Sequence, residues 1–319
     1  MKHGFLKPKD KKFPAMIVLG ITNVCNNRCI MCPYKKISKE DRFKPEFMEE
    51  KLYKKIVDEI AKHPGTILRL TPDGEVLLHP KVVDFVKFAK DKGVKTVSFD
   101  TNALALTEKK AIGLLEAGLD LINCSIDAFK KESYQKIRQG SNYDRVMENV
   151  HRFIDLRNKG KYKTKITVSI VDQPEVKDEI EDFIKYWTPR VDKIIRRVFL
   201  GCMGLVGKEK ERFEEIKRWP CKFIFTRTNI GSDGKMRFCN DDWYEQSAVG
   251  NLNFQTISEI WQSKRYQQLR EHHLKGDYDK ETYCKNCTEW QSAKWDYDYF
   301  YVLNKVLPKI TKKNSNIQN

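Results

Sequence analysis

Met16-Ile-Val-Leu-Gly-Ile-Thr-Asn-Val-Cys25-Asn-Asn-Arg-Cys29-Ile-Met-Cys32 runs from an apolar, strand-like segment straight into three cysteines, separated by three and then by two residues. Three thiolates are one short of the four that a closed zinc site or an ordinary cubane iron–sulfur cluster takes. A cluster held by three protein ligands leaves one iron open to another molecule. The incomplete set therefore points to a reactive metal centre, with a zinc site completed by a distant ligand as the alternative.

Outward from this stretch, strand-like runs cover Ile17–Ile21, Ile67–Leu70, Val94–Phe99, Leu121–Ile126, Ile166–Val171 and Ile194–Leu200. Amphipathic helical stretches lie between them near 46–62, 80–92, 107–117, 144–158 and 176–187, and Gly93 and Gly118 sit where helix C-terminal caps belong. Strands alternating with helices imply a parallel α/β sheet built by right-handed crossovers. Strand count alone leaves an open doubly wound sheet and a curved partial barrel both open. In either, ligands bind at the carboxyl ends of the strands, which is where Cys25–Cys32 begins. In Asn123-Cys-Ser-Ile-Asp127, strand alternation puts Asn123, Ser125 and Asp127 on one face and Cys124 in the core. A line of polar groups on a sheet covered on both faces marks a polar site.

The length of 319 residues suits one large α/β domain with an appended module. The formal charge of +16 reads as a lysine-rich surface, because lysines interleave with acids in stretches such as Glu49–Lys55 and no nucleic-acid-binding motif accompanies them. Met1–Asp10 holds no apolar secretory core, and no apolar run is long enough to span a bilayer. The expectation is a cytoplasmic protein with neither a membrane nor a nucleic-acid partner. In that reducing compartment nine cysteines favour metal over disulfides.

The Cys25–Cys29–Cys32 spacing resembles the cluster motif of the radical S-adenosylmethionine (radical SAM) enzymes. The resemblance implies a partial (β/α)6 barrel and a [4Fe-4S] cluster whose fourth iron is chelated by SAM. Met31 matches the position that packs near the adenine. Asp73-Gly74-Glu75 matches the Gly-Gly-Glu pattern that receives the SAM amino group, with Asp73 in place of the first glycine. Asp100-Thr-Asn102 resembles a Thr-Asn signature, Ser125 and Asp127 resemble residues near the SAM ribose, and Arg138 matches an arginine that pairs with the SAM carboxylate. Ser169 is a further candidate for this pocket.

After Gly201 the pattern changes to a hairpin over Ile230–Phe238 with Asp233-Gly234 at its turn, then a helix over Ile257–His272. Cys221, Cys239, Cys284 and Cys287 supply four thiolates, enough for zinc or a complete cluster. Their surroundings resemble the SPASM/twitch extension of the same superfamily, and four cysteines with none after Cys287 match its short form with one auxiliary [4Fe-4S] cluster. His272 and His273 are left out of the ligand set. The expected organisation is a basic extension over 1–15, the barrel over 16–201, the cluster module over 202–300 and a tail over 301–319.

For the reaction, the short N-terminal extension and single auxiliary cluster resemble aminocyclitol and sugar dehydrogenases of the superfamily. That implies an oxidoreductase acting on a hydroxyl-bearing small molecule, with a flavodoxin- or ferredoxin-type electron donor. Arg197 (or Arg196) and Asp241 would hold hydroxyls or assist deprotonation. A radical epimerase using Cys202 as hydrogen donor, a peptide or protein maturase, and a zinc-stapled binding protein are the alternatives.

Overall fold

The computed structural model describes residues 3–71, 73–206, 217–292 and 294–295. Its strands are β1 Met16–Leu19, β2 Ile67–Leu70, β3 Thr96–Thr101, β4 Leu121–Ser125, β5 Lys165–Asp172, β6 Lys193–Val198, β7 Arg227–Ile230, β8 Lys235–Arg237 and β9 Ala248–Asn251. Its α-helices are α1 Tyr34–Ile37, α2 Glu50–Ala61, α3 Val82–Asp91, α4 Glu108–Glu116, α5 Lys131–Ile137, α6 Tyr143–Lys159, α7 Ile180–Trp187, α8 Phe223–Thr226, α9 Ile257–Trp261 and α10 Lys264–Lys275. The nine strands among the described residues form one sheet in the order β6-β5-β4-β3-β2-β1-β7-β8-β9. Pairing is parallel from β6 to β7 and antiparallel from β7 to β9. The first six strands are the partial barrel expected from the sequence.

Alternation along the strands decides which face is dry. Ile17, Leu19, Leu68, Leu70, Val97, Phe99, Ile122, Cys124, Ile166, Val168 and Ile170 are buried in one apolar cluster with Ile56, Val57, Phe85, Val86, Val150, Phe153 and Phe183 of the covering helices. Cys124 is fully buried there, as its strand position implies. The opposite face carries Arg69, Ser98, Asp100, Asn123, Thr167 and Ser169, in register across β2 to β5. One face stabilises the fold, and the other supplies chemistry at its carboxyl end.

Several elements depart from the sequence expectation. The helix near 176–187 starts as a 3-10 turn over Pro174–Glu179 and becomes α-helical at Ile180. The helix expected over Ile257–His272 is two helices, because Ser263 leaves the helical region and its hydroxyl accepts from Tyr266 N at 3.3 Å, starting α10 afresh. A short helix, α5, was not anticipated. The module after 202 continues the same sheet: β7 pairs with β1, aligning Met16 with Arg227 and Leu19 with Ile230. The Asp233-Gly234 turn falls where expected, with Gly234 at φ +85°. The tail over 301–319 lies outside the described residues. No helix among the described residues is long and apolar enough to cross a membrane.

At the far edge, Asp192 ties β5 to β6. Its carboxylate accepts from Ile166 N and Arg157 at 2.9 Å and from Lys165 at 3.0 Å. Burial alone would raise this carboxyl, but those bonds outweigh it and hold it below its ordinary 3.8. A depressed carboxyl contributes stability above its unfolded pKa and loses it as pH falls through the lower folded value. Asp192→Asn should therefore lower stability by about 1 kcal/mol near neutral pH. In denaturant titrations the deficit should shrink toward zero below the ordinary carboxyl range; an equal deficit at both pH values would contradict this role.

Candidate cluster and cofactor site

The loop carrying Cys25, Cys29 and Cys32 is held from three sides by backbone and amide bonds. Glu75 N donates to Val24 O at 2.8 Å, from the turn after β2. Asn102, just past β3, donates through its amide to Asn26 Oδ1 at 2.7 Å. Arg28 N and Ile30 N donate to the carbonyls of Gln139 and Ile137 at 2.7 and 2.9 Å, strand-fashion, against the segment after α5. Position 74 admits only glycine: a Cβ there would lie 2.5 Å from Val24 O and 2.8 Å from Thr22 O. The Gly74 backbone thus presses directly on the loop.

All nine cysteines are free thiols. Burial pushes Cys25 up to about 11 and Cys32 up to about 12, and the three thiols lie near enough to raise one another. Cys29 is raised by burial too, while Arg138, whose Nη1 is 3.8 Å from its sulfur, pulls it down. Buried thiols of this kind become thiolates when a cation replaces their protons. The Asn27 amide is 1% exposed, and both of its polar atoms lack a hydrogen-bond partner among the described residues, although it lies against the Cys29 thiol. Soft donors and an unsatisfied buried amide fit a cluster. Among the described residues no three His, Cys, Asp or Glu converge as ligands of a single metal ion do. A cubane takes one thiolate per iron and spreads its ligands more widely.

The expected SAM contacts surround this loop, but they divide the work differently from the sequence reading. Glu75 is buried, and its carboxylate is engaged by Thr101 Oγ1 at 2.5 Å, Asn102 N at 2.7 Å and Leu77 N at 3.1 Å. Burial raises its pKa against those bonds. It ties the β2 exit to the β3 exit. β4 ends at Ser125, so the alternation expected through Asp127 fails. Asp127 takes φ +63° and accepts from Val171 N at 2.9 Å and from Arg138 Nε at 2.9 Å. Arg138 is thus anchored by Asp127 between the loop and β5. Asn123 donates to Ser169 Oγ at 3.1 Å, and Ser169 reaches Ser125 Oγ at 3.5 Å, a polar chain ending at half-buried Ser125. Met31 is half-buried against the core.

Two arginines that sequence reasoning did not connect meet in the barrel interior. Asp100 on β3 pairs with Arg69 of β2 and, at 3.1 Å, with Arg197 of β6. Burial would raise Asp100, but the two guanidiniums reverse this and lower it. Arg69 was readable as a charge inside the apolar run Ile67-Leu-Arg-Leu70. Arg196 points elsewhere, to Asp172 at 2.6 Å. Cys202 begins a left-handed turn after β6, with φ +48°, +58° and +82° at Cys202, Met203 and Gly204, and its thiol lies 3.8 Å from Leu200 O.

The second cysteine set also assembles. Cys221, Cys239, Cys284 and Cys287 are raised by burial, and Cys221 and Cys287 each raise both other members of the set. Four thiols linked in this way, Cys284 buried and the other three partly buried, suit a complete cluster. Asp241 sits beside Cys239, raising it, and its carbonyl accepts from Tyr283 OH at 2.9 Å. His273 Nδ1 accepts from Cys221 N at 3.2 Å, and His272 bonds Glu281 at 2.8 Å, so both histidines brace the site. Missed in the sequence was Arg237, on β8, whose partner is Asp73.

Residues 19–186 match the model of the radical SAM superfamily, and residues 221–288 match the SPASM iron–sulfur cluster-binding domain. A GTP 3′,8-cyclase of Limosilactobacillus fermentum is 34% identical over 174 residues, which are 53% of this chain and 49% of the relative. A GTP 3′,8-cyclase of Listeria monocytogenes is 26% identical over 269 residues, 81% of this chain and 71% of the relative. The chain spans about half the length of the first of these relatives. A solved structure of BtrN in complex with AdoMet and 2-DOIA superposes with a TM-score of 0.58 at 19% identity, covering 87% of this chain and 94% of that one. One of anSMEcpe with bound AdoMet gives 0.61 at 16%, covering 95% and 96%. At such identities the likeness is one of fold.

These relatives correct the expected reaction. The curated proteins similar to the chain are named GTP 3′,8-cyclases, not sugar or aminocyclitol dehydrogenases, epimerases or peptide maturases. The expectation followed the short N-terminal extension and the cysteine pattern of the second module, which say what holds the iron and not what is brought to it. The zinc-stapled binding protein falls with the family match. After anaerobic reconstitution the chain should hold about eight irons and as many sulfides. Cys29→Ala and Cys239→Ala should each bring iron to about half of that; either variant retaining it all would remove that cysteine from the ligand set.

Proposed function

Because the chain belongs to the radical SAM superfamily, we propose that it removes a hydrogen atom from an anionic small molecule held at the barrel mouth, with a purine nucleoside triphosphate as its substrate class. Its cofactors are a SAM-binding [4Fe-4S] cluster, an auxiliary [4Fe-4S] cluster and SAM. Bound beside Cys25, Cys29 and Cys32, cluster and SAM supply a one-electron cleavage that yields methionine and a hydrogen-abstracting adenosyl radical.

The chain's own residues bind and orient. The Gly74 backbone, with no Cβ to obstruct it, receives the SAM amino group. Arg138, steadied by Asp127, keeps further N–H donors for the SAM carboxylate. Asn102 and the Ser125 end of the Asn123–Ser169 chain face the adenosyl group, with Met31 packed behind. A flavodoxin- or ferredoxin-type protein supplies the electron in a reducing cytoplasm.

The observation that carries the substrate class is the Arg69–Asp100–Arg197 trio. Two guanidiniums, those of Arg69 and Arg197, converge on the Asp100 carboxylate, two residues from Asn102, which itself grips the cluster loop. A planar donor fork of this kind suits phosphate oxygens. The curated relatives support the nucleotide: their name describes a bond from C3′ to C8 of GTP, and making it requires loss of a hydrogen from C3′.

Reduced, reconstituted protein incubated with SAM and GTP deuterated at ribose C3′ should place deuterium in 5′-deoxyadenosine. Arg69→Ala and Arg197→Ala should raise KM for the nucleotide about tenfold or more, since each removes a charge-assisted contact. Deuterium transfer from a non-nucleotide anion alone would overturn the nucleotide, and transfer only from an uncharged substrate would overturn the anionic reading.

A further inference from the structure

Asp73 stands where the family pattern carries its first glycine, and the fold gives that departure a partner. Its carboxylate pairs with Nη2 of Arg237 on β8, and the two side chains are only 14% and 4% exposed. The other end of the same guanidinium, Nη1, donates to the Asp242 carbonyl at 2.7 Å. Asp242 in turn accepts from Ser247 N at 2.5 Å and Tyr244 N at 3.2 Å, so the loop that carries Cys239 folds around Arg237. On the barrel side, Asp73 adjoins Gly74, which is pressed on Val24 O, and Val24 precedes Cys25. The two thiolate sets are therefore joined by an unbroken run: Cys25, Val24, Gly74, Asp73, Arg237, Phe238 and Cys239.

A buried charge pair is a poor way merely to glue two regions, since apolar side chains of similar volume do so at least as well. What it supplies is direction. A carboxylate and a guanidinium fix the register of the two loops they sit on. A shift of either loop would leave a buried charge without its partner, and that is strongly destabilising.

We propose that Asp73–Arg237 is a positioning pair that couples the two cofactor sites. Filling the auxiliary site fixes the Cys239 loop and, through Arg237 and Asp73, holds the Gly74 turn in the geometry that binds SAM. Coupling of this kind is reciprocal, so SAM binding alters the auxiliary site by the same free energy.

The test compares anaerobic SAM binding, by equilibrium dialysis, in the reconstituted wild type, Asp73→Asn, Cys284→Ala (which removes the auxiliary cluster) and the double variant. Each single change should weaken SAM binding about tenfold, and the double variant no more than either. The reduced auxiliary cluster should also change its electron paramagnetic resonance signal on SAM addition in the wild type and not in Asp73→Asn. The swap Asp73→Arg with Arg237→Asp should restore affinity, and full iron content in Asp73→Asn guards against misfolding. Losses that multiply in the double variant, or a wild-type auxiliary signal indifferent to SAM, would overturn the proposal. It rests on reading the Gly74 turn as the SAM site. Failure of that reading is distinct: Gly74→Ala with full iron would then bind SAM as the wild type does.

Discussion

The close approach of the Gly74 backbone to Val24 is the constraint on which the site depends. It brings the β2 exit against the loop after β1, with Glu75 N donating to Val24 O. The Glu75 carboxylate, sunk below the surface, then fastens this contact to Thr101 and Asn102 at the β3 exit. A buried carboxylate is expensive to keep, and this one is tolerable because three donors surround it. Asn102 finally closes the circuit by gripping Asn26. Three strand ends and a cysteine loop thus become one rigid unit.

The rest of the architecture follows from one sheet with unlike faces. Helices cover the apolar face with aromatic and branched side chains. Among the described residues the inner face carries matched charges: Asp100 between two arginines, Asp127 with Arg138, Asp73 with Arg237. Each set joins elements remote in sequence, so their ionic partners hold the strand ends in register around the site.

Much of this was legible from residue pattern. The Cys25–Cys32 triad, the strand–helix alternation and the four later cysteines pointed to the barrel and to its cofactors, and Gly74, Asn102 and Arg138 lie against the cysteine loop. What failed did so for identifiable reasons. Alternation cannot be carried through Asp127, because a positive φ ends the strand before it. A serine inside an otherwise helical run, Ser263, capped a new helix instead of continuing the old one. Arg69 and Arg237 were visible as charges in strands, but pattern alone cannot say that their partners lie at Asp100 and Asp73. The reaction was misjudged because a cysteine arrangement specifies what holds the iron, not what is brought to it.

The pairing of β7 with β1 also bears on how the molecule is made. During synthesis β1 emerges early and finds β2, yet its other edge has no neighbour until the residues from Arg227 onward leave the ribosome. Until then the strand that leads into the cysteine triad is an open edge, the kind of surface that invites mispairing. Closure of that edge by β7 comes with the segment between the first auxiliary cysteine and the second. The order of the chain therefore makes β1 wait on β7, and the metal loop acquires its finished surroundings only once residues 227–230 have been made.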